Sequence, residues 1–175
     1  PLLFSFYNNT PSPDAYMYHF VHQQYLLKER IVFGLSNLFP NLGFSSIIEY
    51  TSVLFWKGDI YSNLHFVNIL FIAGFYYYII GLWSSENIYL KNTSLMILLI
   101  SLLDNFGFEG GRNGFFFIQE IGKFDSSFGI VFFIGFVSLL TYVQQEHVSK
   151  IDYYFLFLLI LFLGQIKATG FILFF

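Results

Sequence analysis

Long apolar runs separated by short polar breaks set the pattern of this chain. The first run, Ile31 to Trp56, is interrupted by Pro40 and Asn41, which predicts a span that tilts or kinks at the proline. A polar loop, KGDIYS (57–62), leads to a second run from Asn63 to Trp83. The loop SSENIYLKN (84–92) then feeds LMILLISLL, which meets a charged, glycine-rich break and resumes as FFFIQEI (115–121). That stretch reads as one discontinuous span over 93–121. Ser126 to Val143 is the next run, QQEHVSK (144–150) the loop after it, and Asp152 to Phe175 the last. Crossing a hydrocarbon core takes about 20 apolar residues, so the pattern predicts an all-α fold. The expected architecture is a polytopic transmembrane helix bundle over 31–175, with about five spans and one of them discontinuous at 107–114.

Residues 1–30 follow a different pattern. NNTPSPDAYMY reads as turn and loop, with Pro11 and Pro13 blocking helix. Ala15 to Arg30 predicts a short amphipathic helix ending in Lys28, Glu29 and Arg30, so the segment is expected to be extramembrane or interfacial. No internal repeat and no soluble domain are visible.

Composition strengthens the membrane reading and removes several chemistries. The chain is 56% hydrophobic and only 11% charged, against about 25% charged in soluble domains. The absence of cysteine excludes disulfides, iron–sulfur ligation and Cys-based zinc sites. A net charge of −3 with scattered Lys and Arg leaves no nucleic-acid footprint. No phosphate loop, nucleophilic triad or metal motif is present, so the chain is expected to bind no metal, NADH, flavin or other cofactor. The bias toward Phe, Tyr, Ile, Leu and Asn fits an AT-rich organellar genome. No cleavable signal pattern is visible. The chain starts at Pro1 without a Met, so residues ahead of it are expected to have been removed or to lie outside this sequence.

The candidate chemistry centres on SLLDNFGFEGGRNGFFFIQEIGK (101–123). It carries Asp104, Glu109 and Arg112, with Gly107, Gly110, Gly111 and Gly114 between them. An ionisable group at mid-bilayer costs roughly 2.5–3.5 kcal/mol and marks a functional position. Irregular backbone at that depth survives only against protein or a water-filled cavity. Paired half-spans around such a break occur in ion-translocating proteins. The alternative is a short polar loop between two helices. Elsewhere, Glu49 reads either as a protonatable stop on a polar path or as a group near a span end reaching the interface. Lys167 sits with Gln165 in the later half of the last run, from where it reaches an interface by snorkelling. His19 and His22, three residues apart, share a helix face. With no further histidine placed to complete a metal or haem site, they read as an interfacial pair, as do His65 and Asn68.

From Gln23 onward the chain resembles NADH dehydrogenase subunit 2, an antiporter-like subunit of the membrane arm of respiratory complex I. Four colinear stretches carry the resemblance: QQYLLKERIVFGLSNLFPNLGF (23–44), IYSNLHFVNILFIAGFYYYIIGLW (60–83), FFFIQEIGK (115–123) and IGFVSLLTYV (134–143). Of these, the Ile-Gln-Glu segment is the specific one. The chain departs from the family where the broken helix has Pro-Pro before Gly-Phe and a lysine after it. Here Gly107-Phe108 is present, the prolines are missing, and Arg112 is the nearest cation. The family histidine in the preceding Ser-rich segment is also absent, with Asn41 the closest polar residue.

The resemblance implies a multi-pass protein of the mitochondrial inner membrane, the C-terminal half of a split subunit. A second polypeptide would carry the missing N-terminal spans, and the other partners would be membrane-arm subunits and lipid. The implied function is part of a proton-translocation path coupled to NADH:ubiquinone oxidoreduction, with no redox centre on this chain. Arginine stays protonated in proteins, so Arg112 is expected to act as a fixed counter-charge and Asp104 and Glu109 as titrating groups. Glu49 and Lys167 complete the proton-path candidates. The competing expectation is a structural or supernumerary membrane subunit of a respiratory or ATP-synthase complex, without transport. A proton-channel subunit of ATP synthase matches GGRNG (110–114) only superficially, since the long amphipathic span around such an arginine is missing.

Overall fold

A computed structural model describes residues 11, 14–29, 33–43, 46–58, 61–102, 124–145 and 148–174. Among the described residues the chain is all-helical, with no strand. A π-helical turn at Ala15–His19 runs directly into α1, Phe20–Lys28. Two short helices follow, α2 (Leu35–Leu38) and α3 (Ile47–Val53). The long elements are α4 (His65–Trp83), α5 (Ile88–Leu102), α6 (Asp125–Val143) and α7 (Lys150–Ile166). Short 3₁₀ segments occupy Pro40–Gly43, Tyr61–Leu64 and Ala168–Phe174.

Helices α4 and α6 have 19 residues each and are long and apolar enough to cross a membrane, with mean hydropathies of 1.7 and 2.0. At about 1.5 Å rise per residue each reaches roughly 28 Å, close to the ~30 Å of a hydrocarbon core. Only 28% and 33% of their most apolar windows are buried. The core helix of a water-soluble domain would be mostly covered. These two instead turn Phe66, Leu70, Tyr77, Ile80, Phe136 and Leu140 outward. A helix apolar on all faces belongs in a large core or in lipid.

The inward faces obey helical spacing. On α4 the buried stripe is His65, Asn68, Ile72, Phe75 and Ile79, stepping alternately by three and four. On α6 it includes Ser127, Val131, Gly135 and Ser138, and on α7 Leu156, Ile160, Leu163 and Ile166. One apolar cluster joins Ile48 of α3, Val67 of α4, Phe124 and Val131 at α6, and Leu163 and Ile166 of α7. A second joins Ile72, Phe75 and Ile79 of α4 to Ile130 of α6, with Ile97 and Leu98 of α5 packed against it. Asn87 starts α5, its Oδ1 accepting from the backbone N–H of Tyr89 at 2.9 Å and of Leu90 at 3.4 Å.

Helices α4 and α6 coincide with the second and fourth expected spans. The first expected span, 31–56, is not one helix. Gly34 adopts φ 82 in the left-handed region just before α2, a conformation no continuous helix contains. Phe39 is extended (φ −148, ψ 117), the conformation that a following proline imposes. Ser46, also extended, restarts the chain by accepting from Ile48 N–H at 3.3 Å. The result is a set of short helical pieces ending in a seven-residue α3, too short to cross.

The last expected span, 152–175, also divides. Helix α7 stops at Lys167 (φ −145, ψ 136), and Ala168–Phe174 folds back on α7 as 3₁₀ helix. Gly170 makes the close approach possible, because a Cβ there would lie 2.7 Å from the Leu163 side chain and 2.8 Å from its carbonyl carbon. The expected broken span begins earlier than its apolar run suggests, at Ile88. Residues 103–123, including the 107–114 break, lie outside the described residues.

Candidate functional site

The polar centre of the described structure lies where α1 meets α3. One helical turn places His19 and His22 on the same face. The Ser46 cap sets the start of α3 and so fixes Glu49 in its first turn. Helix α1 packs on α3, bringing His19 Nδ1 to 2.6 Å from Glu49 Oε1 and His22 Nδ1 to 2.7 Å from Oε2. All three side chains are buried, at 4%, 6% and 1% exposure for His19, His22 and Glu49. The histidines are therefore packed inside the protein against Glu49. His65 and Asn68 are buried as well, on the inner face of α4.

Glu49 receives a hydrogen bond at each oxygen. With the carboxylate ionised, both rings donate to it from Nδ1–H. Helix α3 lies outside both long apolar helices. Burial opposes ionisation of Glu49, but the hydrogen bonds and charge of His19 and His22 outweigh it and hold the carboxyl below its ordinary value. Beside the cluster, fully buried Gln23 accepts from Trp56 Nε1–H at 2.8 Å, while its amide nitrogen has no hydrogen-bond partner among the described residues.

Phe124 separates this cluster from a second, more exposed one. Its ring meets the His19 ring edge-on, with centroids 5.2 Å apart. On its other side Lys167 Nζ lies 5.5 Å from the Phe124 centroid and 5.7 Å from that of Phe128. Lys167 ion-pairs with Asp125 at the start of α6, an arrangement in which both side chains stay partly in the open. Of the sequence candidates, then, Glu49 lies in the buried cluster and Lys167 in the exposed pair. Asp104, Glu109 and Arg112 lie outside the described residues.

At the opposite end of α6, Tyr78 hydroxyl and Ser138 Oγ are 3.3 Å apart, and Tyr142 hydroxyl donates to Asp152 Oδ1 at 3.4 Å. Between the two ends the facing residues are apolar: Ile72 and Phe75 on α4, Ile130, Val131 and Gly135 on α6, and Ile160 and Leu163 on α7. No group of three or more His, Asp or Glu among the described residues is arranged to hold a metal ion.

Sequence reasoning placed Glu49 and the His19–His22 spacing but did not join them. The available signal was that one helix face carries two imidazoles while the next segment holds a single acid. Comparison with known proteins finds no matching family model, no matching curated protein and no matching solved structure.

Proposed function

We propose that this chain is a membrane-embedded, antiporter-like subunit fragment of respiratory complex I. In this reading it is the C-terminal half of a split NADH dehydrogenase subunit 2 in the mitochondrial inner membrane. It contributes part of a proton path coupled to NADH:ubiquinone oxidoreduction, alongside a second polypeptide that bears the missing spans. The colinear resemblance from Gln23 onward supports the family. The observation that carries a proton-handling role is the buried His19–Glu49–His22 cluster in a chain with two helices long and apolar enough to cross a membrane. Buried, mutually coupled ionisable groups concentrate at functional sites.

The Tyr78–Ser138 pair and the Glu49 cluster lie at opposite ends of the α4–α6 packing, with the apolar layer between them. That layer favours a second reading, a structural membrane subunit without transport. Native separation of detergent-solubilised membranes, with NADH dehydrogenase staining and mass spectrometry of the active band, tests the first. The expected result is this chain in the stained band beside a polypeptide carrying the missing spans. Recovery only from another complex would overturn the assignment. Membership with proton pumping unchanged in Glu109→Gln and Arg112→Ala would favour the structural role.

A further inference from the structure

We propose that His19, Glu49 and His22 form a proton-holding site that binds one proton on either imidazole but not on both. The inference stands on the geometry of the cluster and does not depend on membership of complex I.

Charge balance is the first reason. With Glu49 ionised and both rings neutral, the buried cluster carries one negative charge. A proton added to the Nε2 lone pair of either ring brings it to neutrality, and it leaves from that same nitrogen. A second proton leaves a net positive charge, again uncompensated. Uncompensated charge is the expensive state inside a protein, so the singly protonated cluster is the favoured buried form.

Among the described residues the surroundings supply no substitute. The charged and titratable groups described on the cluster's own elements are Asp14, Tyr16, Tyr18, Tyr25, Lys28, Glu29 and Tyr50. Lys28 and Glu29 stand exposed at the far end of α1. From the elements packed around it come His65 at the start of α4, Asp125 of α6, and Lys167 together with Asp152 on α7. Lys167 is engaged by Asp125 beyond the Phe124 ring, and Asp152 accepts from Ser149 Oγ at 2.6 Å at the other end of α7. Among the described residues, the charge facing Glu49 comes from the two rings that touch it.

Coupling is the second reason. Two groups hydrogen-bonded to one carboxylate titrate as a unit, and the pair takes protons in separate steps. The Nδ1 contacts also lock the tautomer, because each Glu49 oxygen accepts from one ring.

The test is ring-¹⁵N histidine NMR of the full chain in lipid nanodiscs, titrated with pH. His65→Gln and His147→Gln assign the other two of the chain's 4 histidines. The expected result is Nδ1 protonated on both rings throughout. His19 and His22 signals should move together in one step corresponding to a single proton. In Glu49→Gln this concerted step should be lost, with each ring titrating by itself and mixing tautomers. Independent titration of the two rings in the unaltered protein would overturn the proposal. So would neutral rings protonated on Nε2, or no proton gained while helix content holds. Far-UV circular dichroism checks that Glu49→Gln keeps its helices, and if it does not, the unaltered protein's titration decides alone.

Discussion

At the scale of single residues, Glu49 is the group on which most depends. Both its oxygens accept from buried imidazoles, so replacing it leaves donors stranded away from water. An unsatisfied buried donor costs about 1–3 kcal/mol. Glu49→Gln keeps one acceptor and turns an amide N–H₂ on the other ring, which must change tautomer to accept it, whereas Glu49→Leu offers neither ring a partner. Thermal unfolding followed by circular dichroism should show Glu49→Leu less stable than Glu49→Gln, and both below the unaltered protein. The pH dependence has a definite sign. The folded carboxyl titrates below its ordinary value of 4.5, so its stabilisation is complete above that pH and is lost as pH falls through the lower folded value. Acid should therefore loosen α1 from α3, and Glu49→Gln should remove that acid sensitivity, read as protease access to the α1 end at Lys28. Half of this site was legible in the sequence. The shared face of His19 and His22 follows from their spacing, but Glu49 lies 30 and 27 positions away from them. Bringing it back requires the sharp turns between 33 and 46, which spacing alone does not reveal. Lys167 shows the same limit, because its snorkelling reading could not foresee Asp125, 42 positions earlier.

At the scale of elements, helix ends decide what apolar runs become. Ser46 and Ser149 are serine N-caps whose side chains accept from the helix backbone, from Ile48 N–H and Asp152 N–H. Replacing either by alanine should cost about 1 kcal/mol. Ser46→Ala should have the larger consequence, since Ser46 is buried and its cap places Glu49, whereas Ser149 is exposed. The expected signature is a lower melting temperature in both variants, with a disturbed Glu49–histidine NMR signature in Ser46→Ala only. Gly170→Ala should push Ala168–Phe174 away from Leu163, because the added Cβ meets backbone that cannot yield. Faster carboxypeptidase trimming of the C-terminus would show it, and an unchanged rate would contradict the packing. The elements read correctly from sequence are those where length and composition suffice. In α4 and α6, unbroken apolar runs with no proline leave helix as the way to satisfy the backbone. The run 31–56 was misleading because apolar content says nothing about Gly34, the Phe39–Pro40 step or the Ser46 cap. The run 152–175 was misleading because Gly170 lets the chain double back.

At the scale of the whole molecule, the apolar outward faces of α4 and α6 are the feature that supports a membrane setting. Leu70 is 64% exposed and Phe136 43% exposed, each within a helix long enough to cross a bilayer. The polar groups of α6 gather toward its two ends, and from Ser127 to Ser138 the intervening rise is about 17 Å at 1.5 Å per residue. A proton cannot cross an apolar layer of that thickness by hydrogen-bond hops, so any path through this protein must draw on groups beyond α4, α6 and α7. The orientation of the apolar surface can be tested directly, because the chain contains no cysteine and single introduced thiols report without background. Leu70→Cys and Phe136→Cys sit near mid-helix on outward faces, while Glu29→Cys and Asn87→Cys sit on exposed polar segments. In lipid nanodiscs a membrane-impermeant maleimide should label positions 29 and 87 readily and positions 70 and 136 far more slowly, with all four equal after denaturation. A lipid-soluble maleimide should reverse the order in the folded protein. Equal aqueous labelling at all four positions would mean that α4 and α6 stand in water, and the membrane-embedded reading would fall with it.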